Sequence, residues 1–186
     1  MTSCFCGGKI QVRKLLRKEG VRVSEKKIKS CSFTGHRKIK NEHRERIPDL
    51  VRRAIDYAYG LGARSFFVGG ALGFDTLAAK EVIRFRMSHP EVRLVLLLPC
   101  RNQDEKWSEM ERAVYEFTLS SADEVVYVSD EYTPDCMRRR NAMLVSEGDL
   151  LIAYVGQARS GAAQTARMAE RRGKKVYNLY PTLDES

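Results

Sequence analysis

Residues 66–76 (FFVGGALGFDT) join a short apolar run to three glycines within five residues, and a helix-like pattern follows from Asp75. Glycine adopts positive φ angles and lets another backbone or a phosphate approach closely. A helix start offers unpaired N–H groups and partial positive charge, which suit an anion. The segment therefore predicts a buried strand that turns sharply into a helix over a bound ligand. The alternative is a tight turn in which Asp75 caps the following helix. For Asp75 alone we favour the role of helix cap, whereas for the glycine loop as a whole we favour ligand binding.

Strand-like and helix-like patterns alternate on both sides of this segment. Strands are predicted at residues 29–35, 65–68, 92–98, 124–128, 149–155 and 175–179, and helices at 46–61, 75–88, 104–119, from 133 onward, and 162–172. Such alternation predicts an α/β fold, a mostly parallel sheet of about six strands with helices on both faces. We expect one domain over residues 29–180, a basic and flexible arm over 1–28, and a polar tail over 181–186.

Charge is concentrated at the N-terminus. Residues 1–29 hold nine Lys or Arg and two Glu, whereas the remaining 157 residues hold 24 Lys or Arg against 22 Asp or Glu, so most of the net charge of +9 belongs to the arm. This distribution weakens a nucleic-acid-binding hypothesis for the domain. No apolar run approaches membrane-spanning length and nothing resembles a signal peptide, so we expect a soluble cytoplasmic protein without a membrane partner.

The five cysteines predict neither disulfides nor a metal site. Cys31 and Cys100 lie in or beside strand-like runs, where buried thiols are expected. Cys4 and Cys6 have no second cysteine pair and no nearby histidine, so a zinc site is not predicted and no residue is proposed as a metal ligand.

The segments that follow the predicted strands share a polar, glycine-rich character. They are residues 34–37, 69–75, 99–101, 129–130 and 156–161. In a parallel sheet these exits meet along one edge, and ligands bind there where the strand order reverses. The sequence therefore predicts a nucleotide-like or phosphate-bearing ligand at this edge.

Several of these motifs together resemble the YpsA-like family of the SLOG superfamily, which also includes Smf/DprA-type and lonely-guy-type proteins. The motifs are Thr34-Gly35-His36-Arg37, Gly69-Gly70-Ala71-Leu72-Gly73-Phe74-Asp75, Leu98-Pro99, Trp107, Arg140-Asn141 and the loop at 160–165. The resemblance implies a Rossmann-like three-layer α/β/α domain that binds nucleotide-derived ligands. Two departures stand out. Ser160-Gly161-Ala162 replaces the usual Gly-Gly-Thr. Arg167 lies near the position at which lonely-guy enzymes carry a catalytic Glu, and Glu170 lies one helical turn further along the chain.

The candidate ligand-binding residues come from the strand exits and from the resemblance. They are Gly35, His36, Arg37, Gly69, Gly70, Gly73, Asp75, Arg140, Asn141, Ser160 and Gly161. His36 either contacts a ligand or satisfies backbone groups, and Arg37 either clamps a phosphate or is a solvated surface side chain. Ser160 and Gly161, at a helix start, would hold phosphate through backbone N–H groups. Thr165 is expected to be structural.

The leading hypothesis is binding or sensing of a nucleotide-derived small molecule such as a nucleotide, ADP-ribose or NAD; no other cofactor is expected. The first alternative is a nucleoside-monophosphate N-glycosidase or related phosphoribohydrolase-like enzyme, with Asp75 and Arg140 as weak catalytic candidates because the expected Glu is missing. The second is a nucleic-acid-binding module of Smf/DprA type. The sequence leaves homo-oligomerisation open. All three depend on the segments around His36, Gly69–Gly73 and Ser160 converging on one hollow.

Overall fold

A computed structural model describes residues 27–184 and contains six strands in one all-parallel sheet. The strands are β1 (Ser30–Gly35), β2 (Ser65–Val68), β3 (Arg93–Leu98), β4 (Glu124–Tyr127), β5 (Leu150–Tyr154) and β6 (Lys175–Asn178). The helices are α1 (Ile47–Gly60), α2 (Phe74–Arg86), α3 (Glu109–Ser121), α4 (Cys136–Glu147), α5 (Gly161–Arg171) and α6 (Tyr180–Asp184), with a 3₁₀ turn at Asn41–His43. The strand order is β4-β3-β2-β1-β5-β6. The predicted Rossmann-like α/β fold is confirmed.

The order of the strands reverses beside β1. Strands β2 to β4 extend from β1 in one direction, and the chain then crosses back so that β5 pairs with the other side of β1. Helices α1 and α2 pack together over one face of the sheet, whereas α4 and α5 pack together over the other. The C-terminal ends of β1 and β5 therefore border the crevice where open α/β sheets bind ligands.

The core explains the near-continuous apolar sequence of β3. Leu94 to Leu98 are all buried, because helices cover both faces of the sheet at this strand. One core cluster joins the sheet to α1 and α2 through Val51, Ile55 and Phe74. A smaller cluster around Leu144 joins the opposite face to α4. The thiols of Cys31, Cys100 and Cys136 are buried and free, while Cys4 and Cys6 lie outside the described residues.

The C-terminal segment that was predicted as a polar tail forms helix α6, and that prediction is wrong for residues up to 184. Leu183 is buried in the main core cluster. Asp184 Oδ1 lies 3.0 Å from Nε2 of the buried His43 and 2.9 Å from Lys40 Nζ. The Nδ1 of His43 lies 2.8 Å from the hydroxyl of Tyr154, at the end of β5. These contacts fix α6 beside the C-terminal edge of the sheet.

The start of one helix also differs from the prediction. Helix α3 begins at Glu109 rather than near residue 104, because Ser108 and Glu111 form a capping box. Trp107 therefore precedes the helix and packs edge-on against Tyr115. The predicted N-terminal arm lies outside the described residues except for Lys27 and Ile28, and Ile28 packs against the core.

Candidate functional site

The glycine turn after β2 requires glycine at two positions. Gly70 and Gly73 have φ angles of 65° and 79°, a region that residues with a Cβ rarely adopt. A Cβ at Gly73 would overlap the carbonyl oxygen of Arg37, and one at Gly70 would overlap the Leu98 side chain. The turn therefore packs directly against the backbone that leaves β1.

Asp75 does not cap α2, contrary to our expectation. Gly73 is the N-cap residue and Asp75 is the second residue of the helix. Its Oδ2 accepts hydrogen bonds from the Ala71 N–H at 3.3 Å and from Arg140 Nη1 at 3.2 Å. The carboxylate thus ties the glycine turn to α4, across the C-terminal ends of the strands.

The Arg140–Asp75 ion pair is buried, with 7% of Arg140 and 5% of Asp75 exposed. Burial raises the pKa of the Asp75 carboxyl, and the charges of Arg140 and Arg37 and the Ala71 N–H oppose that rise. Arg140 Nη1 lies against Gly69, where a Cβ would overlap it. Within residues 27–184, Arg140 Nε has no hydrogen-bond partner although it is buried.

His36 satisfies backbone groups of the loop after β5, which was the second of its two expected roles. Its Nε2 accepts hydrogen bonds from the N–H groups of Gly156 at 2.9 Å and Gln157 at 3.2 Å. A nitrogen that accepts two N–H groups carries no proton, so the ring is neutral with its proton on Nδ1. Burial also lowers the pKa of His36. Only Nδ1 remains as a donor toward a ligand.

Helix α5 begins at the same edge. The Oγ of Ser160 caps it by accepting from the Ala163 N–H at 3.1 Å. The N–H groups of Gly161 and Ala162 precede the first helical bond, and within the described chain neither has a partner. The side-chain amide of Asn141, on α4, faces Gly161, with its Nδ2 3.9 Å from the position of a Cβ there.

The three predicted segments lie together at one edge of the sheet, but none of the eleven candidate residues lines the hollow found beside them. Arg37 contacts Gly73, and the adjacent His36 binds the loop at 156–157. On the other side, Arg140 contacts Gly69 and the adjacent Asn141 faces Gly161. The eleven candidate residues therefore surround the exits of β1, β2 and β5, with Gly35 packed beneath the ring of Phe74.

Sequence reasoning missed the aromatic and amide side chains that support this edge. The ring of Tyr180 occupies the space that a Cβ at Gly156 would need, and it contacts the ring of His36 edge-on at 6.4 Å. Gln103 Nε2 donates to the carbonyl of Gly70 at 3.2 Å. Tyr180 lies between the predicted sixth strand and the predicted tail, and Gln103 lies just before the predicted helix at 104–119, so neither belonged to a motif.

A hollow of about 270 Å³ lies next to these residues, between α5 and β6. Its lining includes Gly156, Gln157, Ala163, Ala166, Glu170 and Asn178. In the described part of the chain, no group of three His, Cys, Asp or Glu side chains is placed to hold a metal ion, and no helix is long and apolar enough to cross a membrane.

The geometry agrees with a family profile. The profile described as the YspA SLOG family (YpsA) matches residues 32–182. The chain belongs to this family. Among curated relatives, a UPF0398 protein of Bacillus thuringiensis strain Al Hakam is 25% identical over 162 residues, covering 82% of this chain and 88% of the relative.

Two solved structures share the fold of this family member. DNA processing protein A from Helicobacter pylori, which binds single-stranded DNA, has a TM-score of 0.57 and 18% identity over 80% of this chain. DNA processing protein A (DprA) from Streptococcus pneumoniae has a TM-score of 0.59 and 14% identity over 81% of this chain. This chain spans 63% and 50% of those two proteins. The likeness concerns the fold.

Proposed function

We propose that this protein binds a nucleotide-derived small molecule at the C-terminal edge of its sheet, with the phosphate at the start of α5. The observation that carries the proposal is that the unpartnered N–H groups of Gly161 and Ala162 lie beside the amide of Asn141. The neighbouring Arg140 has a buried Nε that has no hydrogen-bond partner within the described residues. Helix N-termini with unpaired N–H groups favour anions. The exposed Arg37 adds a second cation beside the glycine turn.

The arrangement supports binding better than hydrolysis. Asp75, the carboxylate that the enzymatic alternative needs, is 5% exposed and accepts hydrogen bonds from Arg140 and Ala71. A carboxylate that is buried and paired in this way holds the site together and has little freedom to act on a substrate. His36 likewise uses Nε2 to hold the loop after β5.

The proposal is tested by placing a negative charge at Gly161, where a Cβ meets no atom closer than 3.9 Å. An acidic side chain stabilises a helix N-terminus by about 0.3–1 kcal/mol. We therefore expect Gly161→Asp to fold at least as stably as wild type but to lose binding of nucleoside monophosphates and ribose 5-phosphate in calorimetry.

Gly161→Ala is the matched control, because it adds the Cβ without the charge. It should bind the same ligands with an affinity close to that of wild type. Equal binding by Gly161→Asp and Gly161→Ala would contradict a phosphate site at α5, and absence of binding by wild type across nucleotides, ADP-ribose and NAD would contradict the proposed function altogether.

A second candidate function is binding of single-stranded nucleic acid, which the fold shared with DNA processing protein A favours. A complex driven by phosphate contacts weakens steeply as salt concentration rises. Fluorescence anisotropy with a labelled oligonucleotide separates the two candidates. Binding by the full chain that is lost with salt and is insensitive to Gly161→Asp would favour the nucleic-acid function at a different surface.

A further inference from the structure

The hollow between α5 and β6 has both apolar and polar walls. Val155 and Val176 contribute from the sheet, and Ala163 and Ala166 contribute from one face of α5. The two alanines leave space that larger residues would fill, and the volume of about 270 Å³ is near the lower limit for small-molecule pockets. The valines and alanines of the lining offer an apolar surface to one face of a flat ring, and its polar side chains can bind polar edge groups.

The polar side chains that line the hollow differ in whether they already have hydrogen-bond partners. Asn178 accepts from the Val155 N–H at 3.0 Å and donates to the Val155 carbonyl at 2.8 Å. Arg167 Nη1 donates to the Ala158 carbonyl at 2.9 Å. The carboxylate of Glu170, in contrast, has no hydrogen bond or ion pair with residues 27–184. It therefore remains available as an acceptor at the hollow.

The hollow adjoins residues of the proposed phosphate site. Gly156 and Gln157 line it and also bind His36, and Ala163 lies in the first turn of α5. Glu170 is nine residues beyond Gly161 on the same helix, a rise of about 13 Å. Because helical side chains lean toward the N-terminus, its carboxylate lies closer to the helix start than its Cα does. An extended nucleoside monophosphate can bridge this span.

Building on the proposed function, we propose that the base of the nucleotide occupies this hollow and that Glu170 selects guanine. An ionised carboxylate has two acceptor oxygens and no donor. Guanine presents a ring N–H and an amino group side by side, and these match the two oxygens. Adenine presents one amino group next to a ring acceptor that would face an oxygen, and hypoxanthine lacks the amino group. Arg167 and the wall alanines hold the ring without discriminating among purines.

The inference is tested by calorimetry with GMP, IMP, AMP and ribose 5-phosphate. Hydrogen bonds to a charged group contribute about 1.5–3 kcal/mol, so wild type should bind GMP about tenfold or more tightly than IMP and AMP. Glu170→Gln should reduce this preference to less than threefold. Ala166→Leu, which fills the hollow, should weaken GMP about tenfold and leave ribose 5-phosphate unchanged.

Gln164→Leu is the matched control, since it adds apolar volume to an exposed position on α5 that does not line the hollow. Thermal unfolding shows whether Ala166→Leu is folded, and the Glu170→Gln result stands independently if it is not. Equal affinities for GMP, IMP and AMP, or a preference unchanged in Glu170→Gln, would overturn the inference while leaving the phosphate site intact. If wild type also fails to bind ribose 5-phosphate, both this inference and the proposed phosphate site would be overturned.

Discussion

Gly69→Ala should destabilise this protein far more than its small size suggests. A Cβ at Gly69 would overlap Arg140 Nη1 and approach Asp75 Oδ2 to 2.7 Å. The guanidinium is the end of a flexible side chain and would move, but moving it separates the buried ion pair. The Asp75 carboxylate would then keep only the Ala71 N–H as a partner.

The expected loss follows from the burial of both partners. Breaking a buried ion pair from one side costs about 3–5 kcal/mol because it leaves an uncompensated charge. That is a large part of the roughly 5–15 kcal/mol that stabilises a typical domain. Protonation of Asp75 removes the unpaired charge, so the difference between Gly69→Ala and wild type should shrink as pH falls toward the raised pKa of that carboxyl.

Two other glycines provide matched controls. At Gly60 a Cβ meets nothing within 4 Å, so Gly60→Ala should be neutral or should stabilise by up to about 1 kcal/mol. At Gly173 a Cβ is also free of contacts but φ is +69°, so Gly173→Ala should cost only the backbone strain, about 1–2 kcal/mol. Urea denaturation gives the free energy of unfolding of each variant. A Gly69→Ala loss no larger than that of Gly173→Ala would refute the reasoning.

Three further outcomes are expected. Because the pKa of His36 is lower in the folded protein, the unfolded chain takes up the His36 proton at higher pH than the folded protein does. The contribution of His36 to the free energy of unfolding is therefore fully present above about pH 6.5 and declines as pH falls below that value. His36→Gln keeps a hydrogen-bond acceptor but does not titrate, so this decline should be absent from its free energy of unfolding measured by urea denaturation as a function of pH. Leu183→Ala should cost about 2–5 kcal/mol, because Leu183 is buried in the core, whereas Met87→Ala, at an exposed position, should change the free energy of unfolding by less than about 0.5 kcal/mol. Cys31, whose pKa burial raises, should react with iodoacetamide only at the rate of unfolding, and mass spectrometry of partly alkylated protein checks this.

Local patterns were sufficient to predict the sheet and most of the helices. The apolar run of β3 predicts a strand that is buried on both faces, and the amphipathic spacing of α1 predicts a helix that is buried on one face. Both patterns of burial are present in the structure. The edge that carries the candidate site also followed from the sequence, since parallel strands place all their exits together. These features depend on neighbouring residues and on general topology.

The errors came from partners that are distant in sequence. Asp75 was expected to cap its own helix, but it binds Arg140, which lies 65 residues away. The short α6 is held by Leu183 in the core and by the pairing of Asp184 with Lys40 and His43. The sequence at 180–184 does not reveal these partners. The choice between two roles for His36 likewise depended on amides 120 residues further on.

The most direct test of the account is a titration of isotopically labelled full-length protein with a nucleoside monophosphate, followed through its backbone amide resonances. The amides of Gly161 and Ala162 and those of residues 69–73 should shift together and saturate at one common ligand concentration. Saturable shifts confined to another surface, or no saturable shift at all, would contradict the claim that these segments form one anion-binding site.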